Sequence, residues 1–162
     1  MKASTKQLSL AALMLASVFV VTRFVQVPIP LGYFNVGNSV ILLFCLLVSD
    51  SYGIAASSIG SAMADLMSYP VYTIPTLLIK ALMPLIFLKL DIILPQKTYT
   101  PVVSAALATL IPLFGYTLAG GLIYGNIISG IAQFPGLLFE YIANLVIFAA
   151  LYKPIMNIRR VL

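Results

Sequence analysis

Histidine is absent from the 162 residues, and cysteine occurs once. The first absence removes the commonest general base and the commonest metal ligand. Metal-dependent or histidine-based catalysis has little to build on, and no metal site is expected. Cys45 lies inside ILLFCLLV and cannot close a disulfide within the chain, so it reads as a small buried hydrophobe rather than a reactive thiol. Charge is scarce as well. Charged residues make up 8% of the chain, against about 25% in soluble domains. That leaves too little polar surface to cover a particle facing water. No GxxxxGK[ST] stretch exists for binding ATP, and neither HExxH, GxSxG nor a pair of carboxylates on one helix face appears. The chain shows none of the machinery of a hydrolase, and an enzyme is not expected. Two related halves, common in secondary transporters, are not visible either.

What is present is apolar. Hydrophobic residues make up 62% of the sequence, with a mean hydropathy of +1.10. A spanning helix needs about 20 mainly apolar residues, fewer where neighbours enclose it. Prolines, glycines and polar clusters divide the chain into six candidate helices, at about 8–25, 37–48, 52–67, 73–93, 101–124 and 129–158. The second and third are shorter than a full span. The expectation is an all-α integral membrane protein with one six-helix domain over residues 1–162. The N-terminal MKASTKQLSLAALMLASVFVV has the look of a signal peptide, but its apolar run continues to about Val25, and it reads as a retained first helix.

The nine basic residues sit singly at the ends of apolar runs, which suits membrane orientation and not nucleic-acid binding. Seven of the nine (Lys2, Lys6, Lys89, Lys97, Lys153, Arg159 and Arg160) fall on one side of the six-span scheme. The opposite connections, QVPIPLGYFN, SYPVYT and GNIISGIAQF, hold none. Positive charge marks the inside, so both termini are expected in the cytoplasm, with the chain multi-pass in a bacterial cytoplasmic membrane. The outward connections instead carry Tyr33, Asn35, Tyr69, Tyr72, Tyr124, Asn126 and Gln133. A single tyrosine there fits an interfacial aromatic belt. Several, converging with amides among them, fit the wall of a binding vestibule.

Charges within the spans need a reason, since each costs roughly 2.5–3.5 kcal/mol at the bilayer centre. Asp65 shares a helical face with Ser61, Ser57 and Gly53, beside a ridge of Ala56, Gly60 and Ala64, so it faces protein rather than lipid. Lys80 shares a face with Thr76 and Pro84. Glu140 and Asn144 share one that Gln133 and Leu137 extend outward. Asp65, Lys80, Glu140 and Asn144 either line a polar cavity or include an ion pair, such as Lys80 with Glu140 or Asp65, that only fixes packing. Asp65 and Asn144, nearer the outward end, are the preferred site residues. Arg23 either snorkels to the interface or faces the vestibule. On the first helix Ala12 and Ala16 form AxxxA, a smooth strip for another helix or for packing within the bundle.

The chain resembles the substrate-binding S component of energy-coupling factor (ECF) vitamin transporters over essentially its whole length. The resemblance rests on AALMLAS, IPLGYFNVGNSVILL, GIAASSIGSAMADLMSYPVY and TIPTLLIKALMPLI. It is greatest to the riboflavin-type branch, which also includes proteins assigned to hydroxymethylpyrimidine or pyridoxine. The resemblance implies a six-helix protein that binds a vitamin near its outer face. It also implies a transmembrane coupling subunit and two cytosolic ATPase subunits as partners, with ATP used by them and not by this chain. Ala12 and Ala16 match the surface that meets the coupling subunit, and the loop with Tyr33 and Asn35 matches a gate, for which Gly32 and Gly37 give a permissive backbone. Relatives often carry Asp where this chain has Asn38, which weakens any argument from charge about the ligand.

The candidate substrate residues are thus Tyr33, Asn35, Asn38, Asp65, Tyr69, Tyr72, Lys80, Glu140 and Asn144. One acid and several tyrosines suit a small, roughly neutral aromatic ring bearing hydroxyls. Hydroxymethylpyrimidine or pyridoxine ranks first and riboflavin second. Two other readings stand beside this one. A self-sufficient carrier or channel would work without partners. A lipid-modifying membrane enzyme would need acids clustered on the cytoplasmic side, where only Asp50 and Asp91 lie.

Overall fold

A computed structural model describes residues 5–29, 32–48, 50–95 and 97–161. Lys2, counted above on the basic side, lies outside the described residues, as do the side chains of Asp50, Arg159 and Arg160. The elements run α1 (Thr5–Phe24), β1 (Gln26–Ile29), β2 (Gly32–Asn35), α2 (Gly37–Cys45) and α3 (Asp50–Ser68). A 3-10 turn (Pro70–Tyr72) then leads to α4 (Thr73–Ile93), α5 (Thr100–Ala108), α6 (Leu110–Ile123) and α7 (Ile127–Val161).

Two features depart from the helix pattern expected of the sequence. The connection between the first two helices is a β-hairpin, in which Gln26 pairs with Asn35 and Ile29 with Gly32 in antiparallel register. The expected fifth helix is interrupted at Thr109. Pro112 has no N–H for the Ala108 carbonyl, and the Thr109 hydroxyl turns back to the Ala105 carbonyl at 2.7 Å.

The exterior is broadly apolar, while charged side chains are buried. Leu122 and Ile93 are 83% and 76% exposed, while Lys80 and Glu140 are 2% and 4% exposed. So broad an apolar exterior is the surface a bilayer covers. Among the described residues, three stretches are long and apolar enough to cross a membrane: Thr5–Phe24, Thr100–Ile123 and Ile127–Ile158. Of the others, α4 has the length but carries Lys80, Lys89 and Asp91, and α2 has only nine residues.

Helix α3 packs between α1 and α4, α6 pairs with α7, and short α2 fits among α1, α3, α4 and α7. The interior has two tiers. Toward the chain termini it is apolar, built from Met14 and Val18 of α1, Ile41 and Leu42 of α2, Phe87 of α4 and Phe148 of α7. The rings of Phe87 and Phe148 meet edge-on, with centroids 5.7 Å apart. Toward the hairpin it is polar. On α7 the inward face reads Gln133, Leu137, Glu140, Asn144, Phe148 and Tyr152, all buried. Their spacing of three and four keeps them on one stripe, which passes from amide and acid to aromatic as it crosses from one tier to the other.

Candidate substrate-binding site

The polar tier holds a cleft roofed by the hairpin. Helix α3 contributes Asp65 from the Ser57–Ser61–Asp65 face, all three residues buried. Its Oδ1 accepts a hydrogen bond from the Tyr33 hydroxyl on β2. Its Oδ2 accepts one from the Thr76 hydroxyl on α4. Thr76 lies in turn 3.0 Å from the Tyr116 hydroxyl on α6. Burial, and then the neighbouring Asp65 carboxylate, hold the Tyr33 hydroxyl well above the ordinary phenol range, so it serves as a donor.

Lys80 and Glu140 also line the cleft. The sequence left open an ion pair between them. Instead the Asn38 amide stands between the two, its Oδ1 accepting from Lys80 Nζ and its Nδ2 donating to Glu140 Oε1 at 2.8 Å. A neutral amide suits this place because it offers an acceptor to the ammonium and a donor to the carboxylate. Pro84, one turn beyond Lys80, cannot bond the Lys80 carbonyl. The Ser57 hydroxyl fills that gap at 2.9 Å, tying α3 to α4 at the depth of the site.

Tyr72, in the 3-10 turn, donates to Gln133 Oε1 at 3.1 Å, and burial raises its hydroxyl too. Both lie over α6 at Gly120, where a Cβ would come within 3.2 Å of the Tyr72 hydroxyl and would strike the Gln133 amide. Tyr69 faces Tyr33 with ring centroids 5.6 Å apart.

Seven of the nine candidate substrate residues line the cleft: Tyr33, Asn35, Asp65, Tyr69, Tyr72, Lys80 and Glu140. Asn38 and Asn144 stand behind its wall. Asn144 is fully buried. It accepts from the Ser39 N–H at 2.7 Å and donates to the Asn35 carbonyl at 2.9 Å. It therefore braces the hairpin and α2 against α7. Thr22, Thr76, Tyr116 and Gln133 also line the cleft. Spacing puts Thr76 on the Lys80 face and Gln133 on the Glu140 face, while nothing in the sequence marks Thr22 or Tyr116. Arg23 lies beyond the lining and sets its guanidinium 5.6 Å over the Phe24 ring.

Gly37 has a different role from the one expected. Gly125 alone among the described glycines has a positive φ. At Gly37 a Cβ would come within 2.6 Å of Asn35 Oδ1, the atom that accepts the Gly37 N–H at 2.7 Å. Close approach, not backbone freedom, requires glycine there.

Among the described residues no group of three or more Cys, Asp or Glu is gathered to hold a metal ion. The arrangement is a ligand cleft with converging hydroxyls, amides and charges on rigid helices, capped by a hairpin. Residues 2–157 match the family described as ECF-type riboflavin transporter, S component. The chain belongs to this family. It is the membrane-embedded substrate-binding subunit of a transporter and not an enzyme, which removes the lipid-modifying reading. The fold is that of a solved structure of the S component of a bacterial ECF transporter, with a TM-score of 0.76 at 19% identity, covering 94% of this chain and 96% of that one. An uncharacterized protein of Pyrococcus woesei is 41% identical over 66 residues, 40% of this S component. The matched stretch spans 45% of that protein's length.

Proposed function

We propose that this S component crosses the bacterial cytoplasmic membrane six times with both termini inside. It captures a small hydroxylated aromatic vitamin or precursor at the outer face. A transmembrane coupling subunit and two cytosolic ATPases then drive delivery, with ATP used by those partners alone. The cleft under the hairpin carries this reading. It lies at the end of the bundle away from the basic termini, and its lining combines tyrosine rings with fixed hydroxyls and amides. Hydrogen bonds from wall to wall, such as Tyr33 to Asp65 and Tyr72 to Gln133, narrow it in a way that favours a single ring. Hydroxymethylpyrimidine or pyridoxine therefore ranks first. Riboflavin is the second reading, favoured by the family match itself.

A thermal-shift screen of B vitamins and their precursors tests this on the purified protein. A ligand bound only by the folded state raises the melting temperature by mass action, about 2.7 kcal/mol at 100 times its Kd. One compound or a close pair is expected to stand out, with sub-micromolar affinity in a following titration. A flat response to every compound would contradict the reading.

A further inference from the structure

The hydroxyls around the cleft are nearly all engaged, and the exception is Thr22. Those of Tyr33 and Thr76 donate to Asp65, that of Tyr72 donates to Gln133, and that of Tyr116 pairs with Thr76. The Tyr69 side chain is exposed. Thr22, near the end of α1, lines the same cleft and is 2% exposed. Its Oγ1 is buried, and among the described residues it has no hydrogen-bond partner. Ser61, Thr73 and Ser104 share that state, but none of the three lines the cleft.

A helical serine or threonine has a default partner in the carbonyl three or four residues back. The chain uses it elsewhere. Ser57 and Ser58 bond the Ile54 carbonyl, Thr109 bonds that of Ala105 and Thr117 that of Leu113. Thr22 does not, although its backbone is firmly placed. The Gln26 amide donates to the Thr22 carbonyl at 2.8 Å and to Ser68 Oγ at 3.1 Å, tying the end of α1 to the end of α3. The Thr22 hydroxyl lies instead beside Asn35 of the hairpin. A Cβ at Gly37 would come within 2.5 Å of Thr22 Oγ1 and 2.6 Å of Asn35 Oδ1, so the two oxygens flank one point. Asn35 Oδ1 already accepts the Gly37 N–H and retains one lone pair. A buried hydroxyl without a partner costs stability, and at a ligand cleft that cost is recovered when the ligand supplies the bond. The threonine hydroxyl donates and accepts, while Asn35 Oδ1 only accepts. A ligand hydroxyl, itself donor and acceptor, complements that pair.

We propose that Thr22 is a specificity-determining residue whose hydroxyl bonds a hydroxymethyl group of the ligand where α1 meets the hairpin. This deepens the substrate reading above and rests on it, since both compounds ranked first there carry a hydroxymethyl group on an aromatic ring. Thr22 is the residue that tells such a group from a methyl group.

The test is calorimetric titration of the full-length protein with five compounds. These are hydroxymethylpyrimidine, its counterpart with methyl in place of hydroxymethyl, pyridoxine, and the two pyridoxine counterparts in which one hydroxymethyl group is replaced by methyl. Thr22→Val keeps the side-chain shape and removes the hydroxyl, whereas Thr22→Ser keeps the hydroxyl. The wild type is expected to favour a hydroxymethyl compound about tenfold over a methyl counterpart. Thr22→Val is expected to erase that preference and Thr22→Ser to preserve it. Thermal unfolding without ligand gives a second readout. Thr22→Val should melt at or above the wild-type temperature, because no bond within the protein is lost. A lower melting temperature, or failure of Thr22→Val to fold, would show that the hydroxyl serves the fold and overturns the proposal. A preference that persists in Thr22→Val, or none in the wild type, overturns it and leaves the substrate reading in place. Binding of none of the five overturns the proposal and the first-ranked substrates together.

Discussion

Replacing Asn38 by leucine removes the one side chain that satisfies both Lys80 and Glu140. Leaving buried charged hydrogen-bonding groups unsatisfied costs about 1–3 kcal/mol or more, and thermal unfolding in detergent should show a loss of that order. A change within a few tenths of a kcal/mol, as at an unremarkable surface site, would mean that Lys80 and Glu140 find other partners. Asp65, Lys80, Glu140 and Asn144 were legible in the sequence because a polar residue inside an apolar run needs a stated reason to be there. The amide bridge was not, since nothing in the sequence brings Asn38 within reach of residues 42 and 102 positions away. Tyr116 escaped notice for a related reason. Within LFGYTLAGG every face is apolar or small, so spacing does not show which side meets the cleft.

At the scale of elements, the sequence of the hairpin does not announce strands. QVPIPLGYFN contains two prolines and a glycine, and a proline within a run argues against a strand unless it lies at an edge. With two strands of four residues, both are edges. The hairpin is held by tertiary contacts that local sequence does not announce: Asn144 to the Asn35 carbonyl, Phe34 edge-on to Phe139 at 5.3 Å, and Gln26 to Ser68 at 3.1 Å. The break at Thr109 was legible in Pro112, though the expected helix ran through it. Packing of α6 against the turn and α7 yields a second prediction. Gly120→Ala favours the helix by about 1 kcal/mol in propensity, yet its Cβ strikes Gln133 and crowds Tyr72. Weaker ligand binding is expected at little cost in melting temperature. Unchanged affinity would show that Gln133 and Tyr72 do not need their present positions. On α1, Ala12 and Ala16 lie exposed while Ala11, Met14 and Val18 turn inward. Ala12→Leu or Ala16→Leu should therefore abolish uptake with the coupling subunit and leave ligand affinity of the isolated protein intact. Loss of binding in either variant would place these alanines in internal packing instead.

For the molecule as a whole, composition made the membrane class plain, and the two-tier interior explains how so apolar a chain keeps three buried charges. The polar tier gathers at the hairpin end and the apolar tier closes the other, so the cleft has a floor. On the proposed function, transport draws its energy from the coupling subunit and ATPases, not from this chain. Reconstitution into liposomes tests this dependence. The measurement is uptake of the radiolabelled vitamin that stands out in binding, by vesicles containing this chain alone or together with its coupling subunit and ATPases. The expected result is no uptake by the chain alone and ATP-dependent uptake by the assembly; accumulation by the chain alone, with or without ATP, would contradict the account.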